Sequence, residues 1–324
     1  MLQFKNRTVR AITRGVRIFF SVEAGIARAG KPEYRAGSPA PALDESEIRP
    51  QNLVWIFGAG RTGSTWLMRM MGSLERHTRW SEPMLGELFG SFYNNARKDQ
   101  LPSKSYILSD PYRESWLRSI RNFVLDGARA RYPGLTPRDY LVIKESTGSE
   151  GAPLLVEALP ESRVIVLVRD PRDVVASHLD AAKRGSWMHR LIGDSKQAQV
   201  ADVVDQQPDR FIESSAELLM KNMMGAKRAY EAHRGPKVLV RYEELLSDTL
   251  GTMRRIFDTL GLPANEEQLG RVVEQHSWEN IPEDEKGRGK FFRKAAPGGW
   301  REDLTPEHVE MVEQIAAPIL HEFY

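Results

Sequence analysis

A short apolar run that breaks into a glycine-rich turn and restarts as a helix constrains this chain more than any other feature. Leu53-Val54-Trp55-Ile56-Phe57 reads as a buried strand, ended by Gly58. Gly58-Ala59-Gly60-Arg61-Thr62-Gly63-Ser64-Thr65-Trp66 is the turn, and Leu67, Met70, Met71 and Leu74 then recur at helical spacing. The pattern predicts a helix of about a dozen residues, about 18 Å long, running away from the turn.

The same punctuation repeats downstream. Apolar strands are expected at Tyr140–Ile143, Val164–Val168 and Val238–Val240, each followed soon by a helix. Asp170 is placed to cap one helix with Pro171 in its first turn. Ile212, Ala216, Leu219, Met223, Ala226 and Tyr230 trace the apolar face of another. The last helix begins near Thr305-Pro306 and should be disturbed at Pro318. Repeated strand–helix units imply an α/β fold with a P-loop-like central parallel β-sheet flanked by helices on both faces. Ligands in such a fold bind at the carboxyl ends of the strands.

The turn admits two familiar readings, and both lack a residue they need. As G-x-G-x-x-G, with Glu82 lying 19 residues beyond Gly63, it imitates a dinucleotide fingerprint, but that chemistry has no use for the Thr62, Ser64, Thr65 hydroxyls. As Gly58-x-x-x-x-Gly63 it imitates a nucleoside-triphosphate loop, but Ser64 stands where the lysine belongs, which argues against a nucleotide-dependent kinase. What remains is an anion cradle. Amides at a helix N-terminus and the helix dipole attract negative charge, and Arg61 adds a permanent cation. The plain alternative is a glycine turn with a hydroxyl cap.

Two more segments complete the pattern. Arg169-Asp170-Pro171-Arg172-Asp173-Val174-Val175-Ala176-Ser177 puts an arginine at a strand end and a serine two helical turns later, able to grip a second phosphate from two sides. Phe292-Arg293-Lys294-Ala295-Ala296-Pro297-Gly298-Gly299-Trp300 puts two cations in a glycine-rich loop. Each alone is a common charge cluster or helix start. In this order they resemble the superfamily of sulfotransferases that use 3′-phosphoadenosine 5′-phosphosulfate (PAPS), over residues 51–324.

The resemblance implies the sulfotransferase fold, and a reaction that moves a sulfuryl group from PAPS to an acceptor, releasing adenosine 3′,5′-bisphosphate. It assigns Arg61, Thr62, Gly63, Ser64, Thr65 and Trp66 to the 5′-phosphosulfate and adenine, and Arg169 with Ser177 to the 3′-phosphate. Arg293, Lys294 and Ala295 are similar to the loop that closes over that phosphate. Tyr242 in Arg241-Tyr242-Glu243-Glu244-Leu245, and Ser277-Trp278 after His276, match further nucleotide-contacting segments. The match departs from the cytosolic members at three places. Arg61 stands for their lysine, Ala295 for a glycine, and Lys144-Glu145-Ser146 for a K-T-H motif whose histidine is the base. A base is still required, because the acceptor must lose a proton. Glu82, in Trp80-Ser81-Glu82-Pro83, is the first candidate, since Pro83 disfavours helix there and tyrosylprotein sulfotransferases place a glutamate at a similar distance. Glu145 and His178 compete with it. Arg61 holds its proton too tightly to act as an acid and would act by its charge. The expected acceptor is a small molecule, carbohydrate or lipid, its cleft formed by residues 81–135 and 184–210. A protein that binds the nucleotide without turning it over stays open as the alternative.

Composition narrows the setting. There is no cysteine, which removes disulfides, thiolate metal sites and thiol nucleophiles and fits a reducing cytoplasm. The 46 basic and 44 acidic side chains leave a net charge of +2, which by itself says little about partners; the local clusters of arginine and lysine beside glycine-rich turns matter more, and no nucleic-acid partner is expected. The scheme requires no metal, and no His/Asp/Glu ligand spacing argues for one. No run approaches the roughly 18 apolar residues of a membrane span. Residues 1–50 differ from the rest. Residues 1–35 carry Lys5, Arg7, Arg10, Arg14, Arg17, Arg28, Lys31 and Arg35, and Val9, Ile12, Val16 and Phe19 recur there at helical spacing with Arg7, Arg10, Arg14 and Arg17 on another face, a basic amphipathic segment followed by a linker over 36–50. Such a segment suits an anionic membrane or lipid-like acceptor, a partner, or the protein's own core.

Overall fold

The computed structural model of the chain describes residues 48–91, 93–94, 107–188 and 194–324. The basic segment over 1–35 and most of the linker lie outside the described residues, as does part of the expected acceptor cleft. Strands β1 (Leu53–Gly58), β2 (His77–Ser81), β3 (Tyr140–Lys144), β4 (Arg163–Val168) and β5 (Lys237–Arg241) form one parallel sheet of order β2-β3-β1-β4-β5. Helices α1 (Ser64–Met71), α2 (Arg113–Arg131), α3 (Ala152–Ala158), α4 (Pro171–Ala182), α5 (Asp194–Gln206) and α6 (Pro208–Ala232) are followed, after β5, by α7 (Tyr242–Ser247), α8 (Thr249–Leu260), α9 (Glu266–Gln275), the single turn α10 (Trp300–Asp303) and α11 (Pro306–Phe323).

Alternation along the strands divides two cores. Leu53, Trp55 and Phe57 of β1 and Val164, Val166 and Val168 of β4 face α2, α3, α4, α6 and α11, whose buried residues include Trp116, Leu155, Val175, Phe211 and Val312. Val54, Ile56, Ile165, Leu167, Val238 and Val240 face the other way onto Leu67, Met70 and Met71 of α1, Phe257 of α8 and Leu269 of α9. Both faces of the central strands are dry, which explains why these strands are apolar at consecutive positions instead of alternating. Asp170 caps α4 by accepting the Arg172 N–H, with Pro171 at the first position, as its sequence implies.

Three local expectations change. Helix α1 has eight residues, not a dozen, and closes at Gly72; the chain then returns through Arg76, at φ 61°, into β2. Strand β2 pairs with β3 at the sheet edge, and His77-Thr78-Arg79-Trp80-Ser81 has no apolar run to reveal it. Helix α11 continues through Pro318, because Pro318 and the Gln314 residue one turn before it are both exposed, so water can serve the carbonyl that loses its partner.

Helix α6 crosses the turn after β3 so closely that a Cβ on Gly225 would lie 2.2 Å from the Ser149 carbonyl oxygen and 2.6 Å from the Glu150 Cα. The crossing is fixed by Asn222, whose Oδ1 accepts the Glu150 N–H at 3.1 Å. Gly225→Ala should therefore destabilise the protein by about 1–3 kcal/mol in urea denaturation, although alanine favours a helix over glycine by about 1 kcal/mol. A more stable variant would contradict this packing.

Candidate active site

In a parallel sheet every carboxyl end lies on the same edge, and here the residue after each strand matters. The Ala59–Gly63 turn follows β1, Glu82 follows β2, Glu145 follows β3, Arg169 follows β4 and Tyr242 follows β5. The chain leaves β3 on one side of β1 for β4 on the other, so the crevice opens above β1. A cavity of about 420 Å³ lies on this edge.

The turn is tight by necessity. A Cβ on Gly58, at φ 150°, would stand 2.5 Å from the Leu167 carbonyl oxygen, and one on Gly63, at φ 90°, would stand 2.6 Å from the Tyr242 ring. Arg61 also takes a positive φ, 66°, a conformation that costs a non-glycine residue on the order of 1–3 kcal/mol and clusters at functional sites. Gly63 offers no side chain to cap α1, so the amides of the helix's first turn face the cavity uncapped. Thr62 is the one residue of the expected nucleotide set that does not line the cavity. Its buried hydroxyl donates to the Ala59 carbonyl at 2.7 Å and holds the turn.

All the other expected nucleotide residues line this cavity: Arg61, Gly63, Ser64, Thr65, Trp66, Arg169, Ser177, Tyr242, Ser277, Trp278, Arg293, Lys294 and Ala295. Arg61 ties the three segments together. Its Nε donates to Ser177 Oγ at 3.0 Å and its Nη2 to the Phe291 carbonyl at 2.6 Å, while its own carbonyl accepts Arg169 Nη1 at 3.0 Å. The guanidinium also lies over the rings of Phe291 and Trp187, 4.8 and 5.4 Å from their centroids. Arg169 rests on the Tyr242 ring at 4.3 Å, and its Nε is buried without a hydrogen bond. Trp66 donates its indole N–H to the His276 carbonyl at 2.8 Å. Ala295 has φ 46°, a left-handed conformation that suits the glycine it replaces.

The sheet edge also carries a buried ion pair. Lys144 Nζ is 3.1 Å from Glu82 Oε1, with both side chains almost fully enclosed, and the same ammonium donates to Thr65 Oγ1 at 2.9 Å. Because that oxygen accepts from Lys144, the Thr65 hydroxyl proton is left for the cavity. Glu82 is held by the Ser146 hydroxyl on Oε1 and by the Thr147 N–H, 3.1 Å from Oε2; its backbone stands at φ 45°. Glu82 does not itself line the cavity; Lys144 and Thr65 connect it to the start of α1. Glu145 is fully buried, with Oε1 accepting the Gly86 N–H at 3.2 Å. Burial, and then the nearby Glu82 charge, push its carboxyl well above the usual carboxylate range. His178 faces α6, where Nδ1 lies 2.7 Å from Ser215 Oγ. Burial, and then the Arg61 charge, hold its imidazole well below the usual range.

Several site residues were not anticipated. Lys144, which its sequence context marks only as the first residue of Lys144-Glu145-Ser146, joins Glu82 to Thr65. Asp173, within the second motif, accepts the Gly298 N–H at 2.7 Å and the Trp300 N–H at 3.0 Å, so α4 holds the C-terminal loop in place. Its position one turn before Ser177, on the same helix face, was the available signal.

A model described as the Sulfotransferase family matches residues 54–266, and the chain belongs to that family. Cytosolic sulfotransferase 17 of Arabidopsis thaliana is 24% identical over 184 residues, which cover 48% of this chain and 51% of that protein. Carbohydrate sulfotransferase 2 of Mus musculus is 29% identical over 197 residues, 50% of this chain and 34% of that protein. Omega-hydroxy-beta-dihydromenaquinone-9 sulfotransferase Stf3 of Mycobacterium bovis is 28% identical over 164 residues, 49% of this chain and 37% of that protein. The chain thus spans about a third to a half of the length of these relatives. Among solved structures, sulfotransferase STF9 from Mycobacterium avium superposes with a TM-score of 0.53 at 16% identity, covering 87% of this chain and 78% of that one. Mouse sulfotransferase SULT7A1 complexed with PAP gives 0.52 at 13% identity, covering 85% and 87%. These likenesses show the α/β sulfotransferase fold. No helix among the described residues is long and apolar enough to cross a membrane.

Proposed function

We propose that this chain is a PAPS-dependent sulfotransferase acting on a hydroxyl or amine of a carbohydrate, lipid or small molecule. The observation that carries the reading is the convergence of Arg61, Arg169, Ser177, Arg293 and Lys294, from three distant segments, on one cavity beside an uncapped helix N-terminus. That donor set fits a nucleotide with phosphates at two ends. Uncapped amides of Ser64 and Thr65 suit the 5′ end, and Arg169, with an orphaned buried N–H, suits the 3′ end. The names of the relatives, a carbohydrate sulfotransferase and a dihydromenaquinone sulfotransferase among them, support the breadth of acceptor class.

When bound, PAPS supplies an activated sulfuryl group. The chain's residues orient it and move one proton. Arg61 and the loop amides place positive charge where negative charge develops, with Lys144 behind them fixing Thr65, and being held by other bonds they need little reorganisation. Trp66 and Trp278 provide flat apolar walls within the cavity. Glu82 is the proposed general base. Its Oε2 accepts one N–H, from Thr147, and keeps a lone pair, but the side chain is enclosed beside Lys144, so taking the acceptor's proton requires the cover over it to open when the acceptor binds.

Adenosine 3′,5′-bisphosphate should raise the melting temperature, by about 2.7 kcal/mol of added stability at 100 times its Kd. AMP should do so much less, since it offers nothing to Arg169 and Ser177. Equal shifts from the two nucleotides would contradict a 3′-phosphate site.

Glu82→Gln keeps shape and removes basicity but also leaves Lys144 without its buried counter-ion, so kcat should fall by roughly 10²–10⁴-fold in protein shown by its melting curve and by unchanged nucleotide affinity to be folded at the site. Glu145→Gln, which replaces a carboxyl that burial already favours in its neutral form, should keep most of its turnover. Normal turnover in Glu82→Gln with collapse in Glu145→Gln would transfer the role to Glu145.

A further inference from the structure

The two cations of the C-terminal loop are already occupied. Arg293 pairs through Nη2 with Asp303 and lies 3.8 Å through Nε from Asp180. Lys294 Nζ donates to Glu302 at 2.6 Å and to Asp303 at 3.3 Å. Arg288 approaches the same carboxylates, at 3.8 Å to Glu302 and 3.5 Å to Asp303. Three cations thus face three carboxylates, and the central pair is well shielded, with the Arg293 and Asp303 side chains only 8% and 11% exposed. A shielded pair interacts more strongly than one at the surface, so breaking it needs a compensating anion.

Arg169 differs. Among the described residues its contacts are the Arg61 carbonyl and the Tyr242 ring, with no carboxylate in salt-bridge range. The acids, moreover, are anchored independently of the cations they hold. Helix α10, which carries Glu302 and Asp303, is fastened to α4 by Asp173 on the Gly298 and Trp300 N–H groups and by Arg172 over the Trp300 ring at 4.4 Å. Arg293 and Lys294 lie on the loop before it, which turns at Ala295.

On the reading that this cavity takes a 3′-phosphorylated nucleotide, we propose that Asp303, seconded by Glu302, holds Arg293 and Lys294 whenever no 3′-phosphate is present, so that binding is an exchange of carboxylate for phosphate. A phosphate monoester carries about −1.5 to −2 charge at neutral pH. Set against a neutral cluster it would meet the carboxylates as a like charge; set against Arg169 first, it draws Arg293 and Lys294 away from them. A nucleotide without the 3′-phosphate leaves the pairs closed. On release, the anchored carboxylates take the cations back, so Asp303 weakens product binding and hastens its departure. Asp303 is thus a positioning residue that acts through Arg293 and Lys294.

The test is calorimetric titration and stopped-flow dissociation of adenosine 3′,5′-bisphosphate and AMP with the full chain. Asp303→Asn should bind the bisphosphate ~10-fold more tightly, equivalent to ~1.4 kcal/mol, with slower dissociation and unchanged AMP affinity. Glu302→Gln, at an exposed carboxylate that pairs with Lys294, should shift the same way by ~3-fold and decides the matter if Asp303→Asn does not fold. Bisphosphate binding that is weaker or unchanged in these variants, with the wild type still preferring it over AMP, overturns the exchange alone. A wild type that binds both nucleotides equally overturns the nucleotide reading and the exchange with it.

Discussion

Strand β1 sits between β3 and β4 with both faces buried, and at its end the chain must turn within a space that excludes even a Cβ. Gly58 meets the Leu167 carbonyl of β4, and Gly63 meets the Tyr242 ring that follows β5. These approaches press the turn flat onto the sheet edge, and so leave α1 starting with its amides uncapped over the crevice. The other site groups take their places relative to that turn: Arg169 donates to the Arg61 carbonyl, Lys144 to Thr65, and Ser177 accepts from Arg61. A side chain at Gly58 or Gly63 would move the reference point for all of them.

The charges around this turn are used in two ways. On the β2–β3 side, Lys144 and Glu82 are enclosed together, and each has further hydrogen bonds, to Thr65, Ser146 and Thr147, which offset the cost of burying both ions. Removing either would strand the other, so the pair holds its geometry firmly. On the α4 side the ion pairs sit at the rim of the cavity and involve long side chains on a loop, Arg293 and Lys294, whose partners lie on a separately anchored turn. A rigid pair suits orientation of reacting groups, and an exchangeable one suits a ligand that must arrive and leave.

Much of this was legible in the residues. The apolar runs of β1, β3, β4 and β5 announce themselves because central parallel strands are dry on both faces, and the cation-bearing segments were recognisable because arginine, lysine, hydroxyls and glycine gather there near turns and helix starts. Strand β2 was not, since an edge strand half open to solvent is polar in sequence, and without a visible strand start nothing in the residues after Met71 marks the early end of α1. The burial of Glu82 and its pairing with Lys144 depend on β2 and β3 lying side by side, with Ser81 opposite Lys144, a register that no local pattern encodes. Thr62 looked like a phosphate ligand by its position in a hydroxyl-rich turn, but the turn itself uses its hydroxyl. Asp173 gave no sign of its role because its partners, Gly298 and Trp300, are distant in the chain, and Glu302 and Asp303 gave none because their pairing with Lys294 and Arg293 depends on how the loop folds back.

Whether the three cationic segments grip one nucleotide in one orientation would be seen in a crystal structure with adenosine 3′,5′-bisphosphate. The 5′-phosphate is expected on the amides of Ser64 and Thr65 at the start of α1, and the 3′-phosphate between Arg169 and Ser177. A nucleotide bound away from the Ala59–Gly63 turn, or lying in the reverse sense with its 3′-phosphate on α1, would contradict this placement.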